Sequence, residues 1–267
     1  MKNITNDFIL EWRHPSRTNM TLVLVEDYSD VCWYLQFFDP NKAKIYGTGG
    51  CEHLQESVRR LVENNFTCLA IKDADFDRVL KNRQENPNVV ITDKHDIEMT
   101  AWSHEEVKSR VFNLNGKDYD DGLVSSLFEI LKDLSFIKMY NAENGSHMKV
   151  RNIRALEHNK IKSLEELLDE IGKRSPDVTM PTAIEIQDYE KSHDTLDYYD
   201  ITNGHDYLWS FTYKFNNGHI RNFNEDIMVE QMKGCFTLDL FKMTEMYAQI
   251  VEWENRNHRK ILRTKAC

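Results

Sequence analysis

Thr21-Leu22-Val23-Leu24-Val25-Glu26-Asp27-Tyr28-Ser29-Asp30 is the stretch on which the fold turns. Five residues, apolar or β-branched, run together without alternation and stop at a carboxylate. A strand that is apolar on both faces belongs inside a parallel sheet, where helices cover both sides. The acids that follow therefore leave the sheet at its C-terminal edge. Ser29 or Asp30 is the expected cap of a helix over residues 31–38, which Asp39-Pro40 ends.

Working outward, residues 43–46 read as a short second strand and Gly47-Thr48-Gly49-Gly50 as a tight turn. Residues 52–64 form a predicted amphipathic helix with Leu54, Val58, Leu61 and Val62 on one face. A third buried strand, 66–71, again ends in acid: Lys72-Asp73-Ala74-Asp75-Phe76-Asp77. A fourth strand, 88–92, leads into Asp93-Lys94-His95-Asp96-Ile97-Glu98 and a helix predicted over 97–111. Strands alternating with helices define an α/β class with a mostly parallel sheet flanked by helices. We expect this α/β domain over residues 1–112 and a mainly α-helical C-terminal region over 113–267. Helices in that region are predicted at 122–136, 163–173, 183–192, 205–215, 226–232 and 239–255.

Composition bounds the function. The chain has 267 residues, 34 Lys and Arg against 44 Asp and Glu, and a net charge of -10. That charge excludes a passive nucleic-acid coat, because the mean field repels phosphate. An acidic chain that handles nucleic acid needs a local basic strip or a bound cation. Lys149, Arg151, Arg154, Lys160 and Lys162 form one such strip, with Glu157 the acid among them; residues 256–265 form another. Hydrophobic residues make up 40%, enough for a core and against wholesale disorder. No apolar run approaches the ~18–20 residues of a membrane span, and the N-terminus does not read as a signal peptide. Cys32, Cys51, Cys68, Cys235 and Cys267 contain no Cys-x-x-Cys pair, which fits reduced thiols in a cytoplasmic protein.

The candidate chemistry lies in the acids. Glu26, Asp73/Asp75/Asp77 and Asp96/Glu98 follow three predicted strands. In an open α/β sheet, ligands bind beyond the strand C-termini. Carboxylates brought together there repel unless a cation neutralises them, and hard oxygen donors suit Mg²⁺ or Mn²⁺. Such an ion activates water at a phosphodiester. The competing reading is that acids after strands cap helices, and for Asp27, Ser29 and Asp30 it is the simpler one. Gly47 to Gly50 lack the Gly-Lys-Ser/Thr of a phosphate-binding loop. They serve either close backbone approach or plain turn geometry. His95 reads as a surface-loop histidine beside the acids, and Asn203-Gly204-His205-Asp206 as a turn that caps a helix.

Val25-Glu26-Asp27, then Gly49-Gly50, then Ile71-Lys72-Asp73-Ala74-Asp75 resembles the TOPRIM pattern of topoisomerases, primases and OLD-family nucleases. There a Glu ends the first strand and an Asp-x-Asp ends the third. Asp27 stands where the family typically has glycine. The segment 92–98, the motif order and the helical second half are similar to the AriB-like effectors of PARIS anti-phage defence, a TOPRIM branch found beside ATPases. The resemblance implies a metal-dependent endonuclease. Glu26 would be a general acid/base or metal ligand, and Asp73 and Asp75 would hold Mg²⁺ (or Mn²⁺), as one or two ions. Asp77 and Glu98 would belong to a second metal position, with Asp96 beside them. It further implies a cytoplasmic toxic effector that cleaves host tRNA as a homodimer, once released from a partner ABC/SMC-like ATPase. Lys149, Arg151 and Arg154 would be its nucleic-acid contacts. Two alternatives stand beside it: a TOPRIM DNA endonuclease or nickase, and a non-catalytic metal-binding interaction module.

Overall fold

The apolar runs become β1 (Thr21–Val25), β2 (Ala43–Gly47), β3 (Cys68–Lys72) and β4 (Val89–Ile91). They form one sheet in the order β2-β1-β3-β4, and every pairing is parallel. The structure, a computed structural model, describes residues 12–13, 20–81, 86–216 and 223–264. All five residues of β1 and of β3 are buried, as a strand covered on both faces requires. Helices α1 (Tyr28–Tyr34) and α2 (Cys51–Glu63) make the crossovers. Leu54, Val58 and Leu61 of α2 pack with Leu22, Leu24, Cys68 and Ala70 on one face of the sheet. Strand side chains alternate, so Val23, Val25, Leu69 and Ile71, also buried, take the opposite face. Each such side chain contributes about 1.5–3 kcal/mol of hydrophobic stabilisation.

The first helix is shorter and earlier than expected. Asp27, not Ser29 or Asp30, is its N-cap, and the Asp27 backbone N–H donates to the Asp30 carboxylate at 2.8 Å. It ends at Tyr34, and Phe38 beyond it makes an antiparallel bridge with Leu262.

Contacts divide the described chain into two compact units that do not follow chain order. The sheet unit takes the residues up to Ala74, the segment ending at Asp93 and the chain from Phe236 onward. The helical unit takes Asp75–Arg83 and Lys94–Cys235.

In the helical unit, the helix expected over 97–111 is two: α3 (Ile97–Trp102) and α4 (Glu105–Leu114). Ser103 Oγ donates to the Thr100 carbonyl at 2.8 Å, and His104 starts the second helix in extended geometry. Next comes α5 (Asp121–Asn144), which runs eight residues beyond the expected end and stops at Gly145 in the left-handed conformation. A two-residue hairpin follows, β5 (Leu156–Glu157) and β6 (Lys160–Ile161), with His158 and Asn159 both at positive φ. The remaining helices are α6 (Leu164–Arg174), α7 (Ala183–Ser192), α8 (Tyr198–Ile201), α9 (Gly204–Phe215) and α10 (Glu225–Cys235). Their core is aromatic. Phe211 meets Trp102 edge-on at 5.1 Å and Phe112 at 5.5 Å, and Phe215 and Phe223 extend the cluster.

The chain then returns to the sheet unit as α11 (Leu238–Phe241) and α12 (Glu245–Arg256), where one long helix was expected. Asp93, just past β4, accepts hydrogen bonds from Glu245 N at 2.7 Å and Met246 N at 2.8 Å. It is the tertiary cap of α12. Asp93→Ala should cost about 1–2 kcal/mol, the usual worth of a cap, read as a lower urea midpoint with an unchanged slope. A loss below about 0.3 kcal/mol would show that water replaces Asp93 at no cost. Among the described residues no helix is long and apolar enough to cross a membrane.

Candidate functional site

In the sheet unit the connections leave β1 in one direction and return past it to β3. The switch point is the gap between the C-termini of β1 and β3, where open α/β sheets bind ligands. Glu26 follows β1 and Asp73 follows β3. Glu26 Oε1 accepts a hydrogen bond from Asp73 N at 3.2 Å, which fixes the carboxylate at this gap. The loop after β2 holds Glu26 from behind. Gly49 N and Gly50 N donate to the Glu26 carbonyl at 2.7 and 2.9 Å, and Thr48 N donates to that of Val25 at 2.9 Å. A Cβ on Gly47 would lie 2.7 Å from the Asp27 backbone, so close approach explains this glycine. Gly49 and Gly50 take positive φ, so turn geometry explains those two. Lys72, at the end of β3, is buried. A lysine that closes an apolar strand was a signal the sequence reading passed over.

Several acids of the strand-end clusters prove to be caps. Asp27 and Asp30 serve α1, and Asp93 serves α12. Asp96 is buried and caps α3 through Met99 N at 2.8 Å. It also accepts from Gly204 N at 2.6 Å and from His95 Nδ1 at 3.2 Å. Burial pushes the Asp96 carboxyl up, but His95 and the two N–H donors outweigh it and hold the group below its usual range. Those bonds define Asp96 as an anchor of its unit. His95 is buried rather than on a surface loop, and its carbonyl accepts from Asp75 N at 2.7 Å. Asp75 is exposed, at φ 45°. Glu98 is buried in α3.

The helical unit contains a cavity of about 730 Å³. Asp75 and Asp77 line it together with Arg151 and Arg154. The structure thus brings two of the expected metal ligands and two of the expected nucleic-acid contacts into one hollow; Lys149 and Glu98 are not in its lining. Lys138, His205, Asp206 and Glu225 complete its charged wall and were not expected there. Asp206 pairs with Lys138 and stands 3.9 Å from Arg154. The Arg154 guanidinium also lies over the Trp209 ring, 4.5 Å from its centroid, and Trp209 stacks on Tyr213. His205 Nδ1 meets Glu225 at 3.0 Å. That hydrogen bond pushes the imidazole up to about 9, so His205 is charged at neutral pH. Asn203 caps α9 through Asp206 N, as the sequence suggested for this turn.

Several of the other basic residues are engaged locally. Lys160 pairs with Glu166, and Lys162 bridges Glu157 at 2.9 Å and Glu170 at 2.7 Å. In the C-terminal run, Arg256 donates to the Pro87 carbonyl and Lys260 meets Glu254 at 3.3 Å. Arg263 donates to the Phe38 carbonyl at 2.9 Å; Lys265 lies outside the described residues, as does Cys267. This run therefore ties the sheet unit together.

No protein-family model, curated protein or solved structure matches the chain. The donors at the β1/β3 gap are carboxylate oxygens, a set that suits Mg²⁺ or Mn²⁺. Among the described residues no three His, Cys, Asp or Glu side chains are grouped as ligands of one ion. Glu26 and Asp73 can supply two oxygen donors, and water or substrate oxygens would complete a shell of the kind Mg²⁺ keeps.

Proposed function

We propose that the chain is a TOPRIM-like, metal-dependent endonuclease of the AriB-like kind, a toxic effector of anti-phage defence that cleaves host tRNA. The observation that carries this reading is the pairing of Glu26 with the Asp73 turn at the switch point of a parallel sheet, at 3.2 Å. Glu and Asp at the ends of these two strands are what the TOPRIM resemblance calls for. Glu26 and Asp73 would hold the ion. Bound Mg²⁺ or Mn²⁺ would supply an activated water and charge for the leaving oxygen. Glu26 itself would take or return the proton. Arg151 and Arg154 would meet the nucleic acid, which a chain of net charge -10 needs as a local basic strip. Release from a partner ATPase and action as a homodimer belong to the same proposal.

The test is incubation of the purified chain with tRNA and with supercoiled plasmid, each with Mg²⁺, Mn²⁺ or EDTA. Cleavage of tRNA with metal and none with EDTA is the expected result. Nicked plasmid with intact tRNA would make it a DNA nuclease. Millimolar metal should also raise the Tm of the wild type and not of Asp73→Asn, because an ion bound only by the folded state stabilises it. A metal-dependent Tm without cleavage would leave a binding module, and the absence of both effects would overturn the reading.

A further inference from the structure

The cavity of the helical unit has a composition that metal chemistry at the β1/β3 gap does not use. Phe76, Leu80, Ala142 and Val150 give it an apolar wall beside its charged groups. Its size falls within the roughly 300–1,000 Å³ of small-molecule sites. Most of its charges are already balanced inside it. Asp206 is held by Lys138, and Glu225 by His205. Arg151 differs. Its side chain is exposed, and its guanidinium has no ion-pair partner among the described residues. The turn that carries it is fixed instead from beneath, by Arg174, which donates to the carbonyls of Arg151 at 3.2 Å and Asn152 at 3.4 Å. Arg174 is itself paired with Glu170 at 2.6 Å. A held turn presents a guanidinium at the rim of a cavity with an aromatic wall. Asn152, also in the lining, adds an amide that donates and accepts.

We propose that this cavity receives one nucleotide of a single-stranded nucleic acid, turned out of its stack: the phosphate meets Arg151 and Arg154, and the base lies against Phe76. This rests on the nucleic-acid part of the function proposed above and adds where, and in what form, the strand is read. A guanidinium suits phosphate because its fork matches two oxygens. An unstacked base recovers its stacking on an aromatic side chain. The carboxylates and amides of the lining then face amino groups and ribose hydroxyls, which the phosphate contact alone does not read.

The experiment uses the full chain and four probes, AMP, GMP, CMP and UMP, with the matching nucleosides and inorganic phosphate as comparisons, by titration calorimetry without metal. At least one nucleotide should bind one per chain with a Kd between about 10 µM and 1 mM, the range open to a ligand of this size. Its nucleoside and inorganic phosphate should each bind at least about tenfold more weakly, since each loses one half of the contact. Arg151→Glu should weaken nucleotide binding at least about tenfold. Lys173→Glu, an equal charge change at an exposed position of α6, should leave it unchanged. No binding at about 5 mM of any nucleotide overturns the proposal. So does phosphate that binds as tightly as the nucleotide, or an equal loss in Lys173→Glu. Glu26→Ala separates the two readings. It should keep nucleotide binding and lose cleavage, whereas a wild-type chain that binds nucleotides but cuts neither tRNA nor plasmid would remove the nuclease reading and leave the pocket.

Discussion

Glu26→Ala should lower metal-dependent cleavage by at least about a thousandfold, the scale on which loss of a metal-activated or acid–base group is felt. The fold should survive. Glu26 is only partly buried, and its carboxylate accepts from Asp73 N. Loss of that acceptor costs about 1 kcal/mol, a few degrees of Tm. Glu26→Gln separates chemistry from positioning. The amide oxygen can still accept from Asp73 N, so the turn stays in place, but the charge and the proton acceptor are gone. Equal loss in Gln and Ala, with an unchanged Tm in Gln, identifies the carboxylate as the acting group. Activity restored in Gln would make Glu26 a positioning residue for the Asp73 turn. Cleavage within about tenfold of wild type in a folded Glu26→Ala protein would remove Glu26 from the site.

The sheet was legible because its strands are covered on both faces. Thr21 to Val25 contain no polar interruption that a helix or an edge strand would show, and the run became β1 with the expected bounds. The strand-end acids were legible as a set, but not by role. Asp93 and Glu26 are the same kind of residue in the same kind of place. What separates them is an N–H 152 residues away, which Asp93 accepts and no local pattern announces. Asp96 is alike, with its partner Gly204 108 residues on. The cavity was half legible. Arg151 and Arg154 stood out as cations in an acidic chain. Lys138 did not, because it lies beyond residue 136, where the helix was expected to end. Gly145, which closes α5, was the overlooked signal; a helix read to its C-terminal glycine would have included Lys138. The return of α12 to the sheet unit had no sequence marker at all. It follows from Asp93, from the Phe38 to Leu262 bridge and from Arg263 on the Phe38 carbonyl.

Asp96→Ala should destabilise the helical unit by about 3–5 kcal/mol, the range found when one partner of a buried polar network is removed. Three donors lose their acceptor together: Met99 N, Gly204 N and His95 Nδ1. The first is a lost cap, worth about 1 kcal/mol. The second is worse, because Gly204 N is buried at the start of α9 and an unmet buried donor costs about 1–3 kcal/mol. Position 204 is a glycine for the same reason. A Cβ there would lie 2.6 Å from Asp96 Oδ1 and 2.7 Å from Glu98 Cβ, so the carboxylate reaches the helix start only if that side chain is absent. The pH dependence has a fixed sign. Asp96 is held below its usual range in the folded state, so its charge stabilises the fold above the unfolded value of about 3.9 and the gain fades as pH falls through the folded one. Asp96→Asn removes the charge at constant shape. The stability gap between wild type and Asp96→Asn should be full at pH 7 and shrink below about pH 4. Urea unfolding at pH 7, 5 and 3.5 reads it directly. A gap that stays constant across that range would mean the carboxyl titrates alike in the folded and unfolded states, and a loss under about 1 kcal/mol in Asp96→Ala would mean that another group holds Gly204 in place.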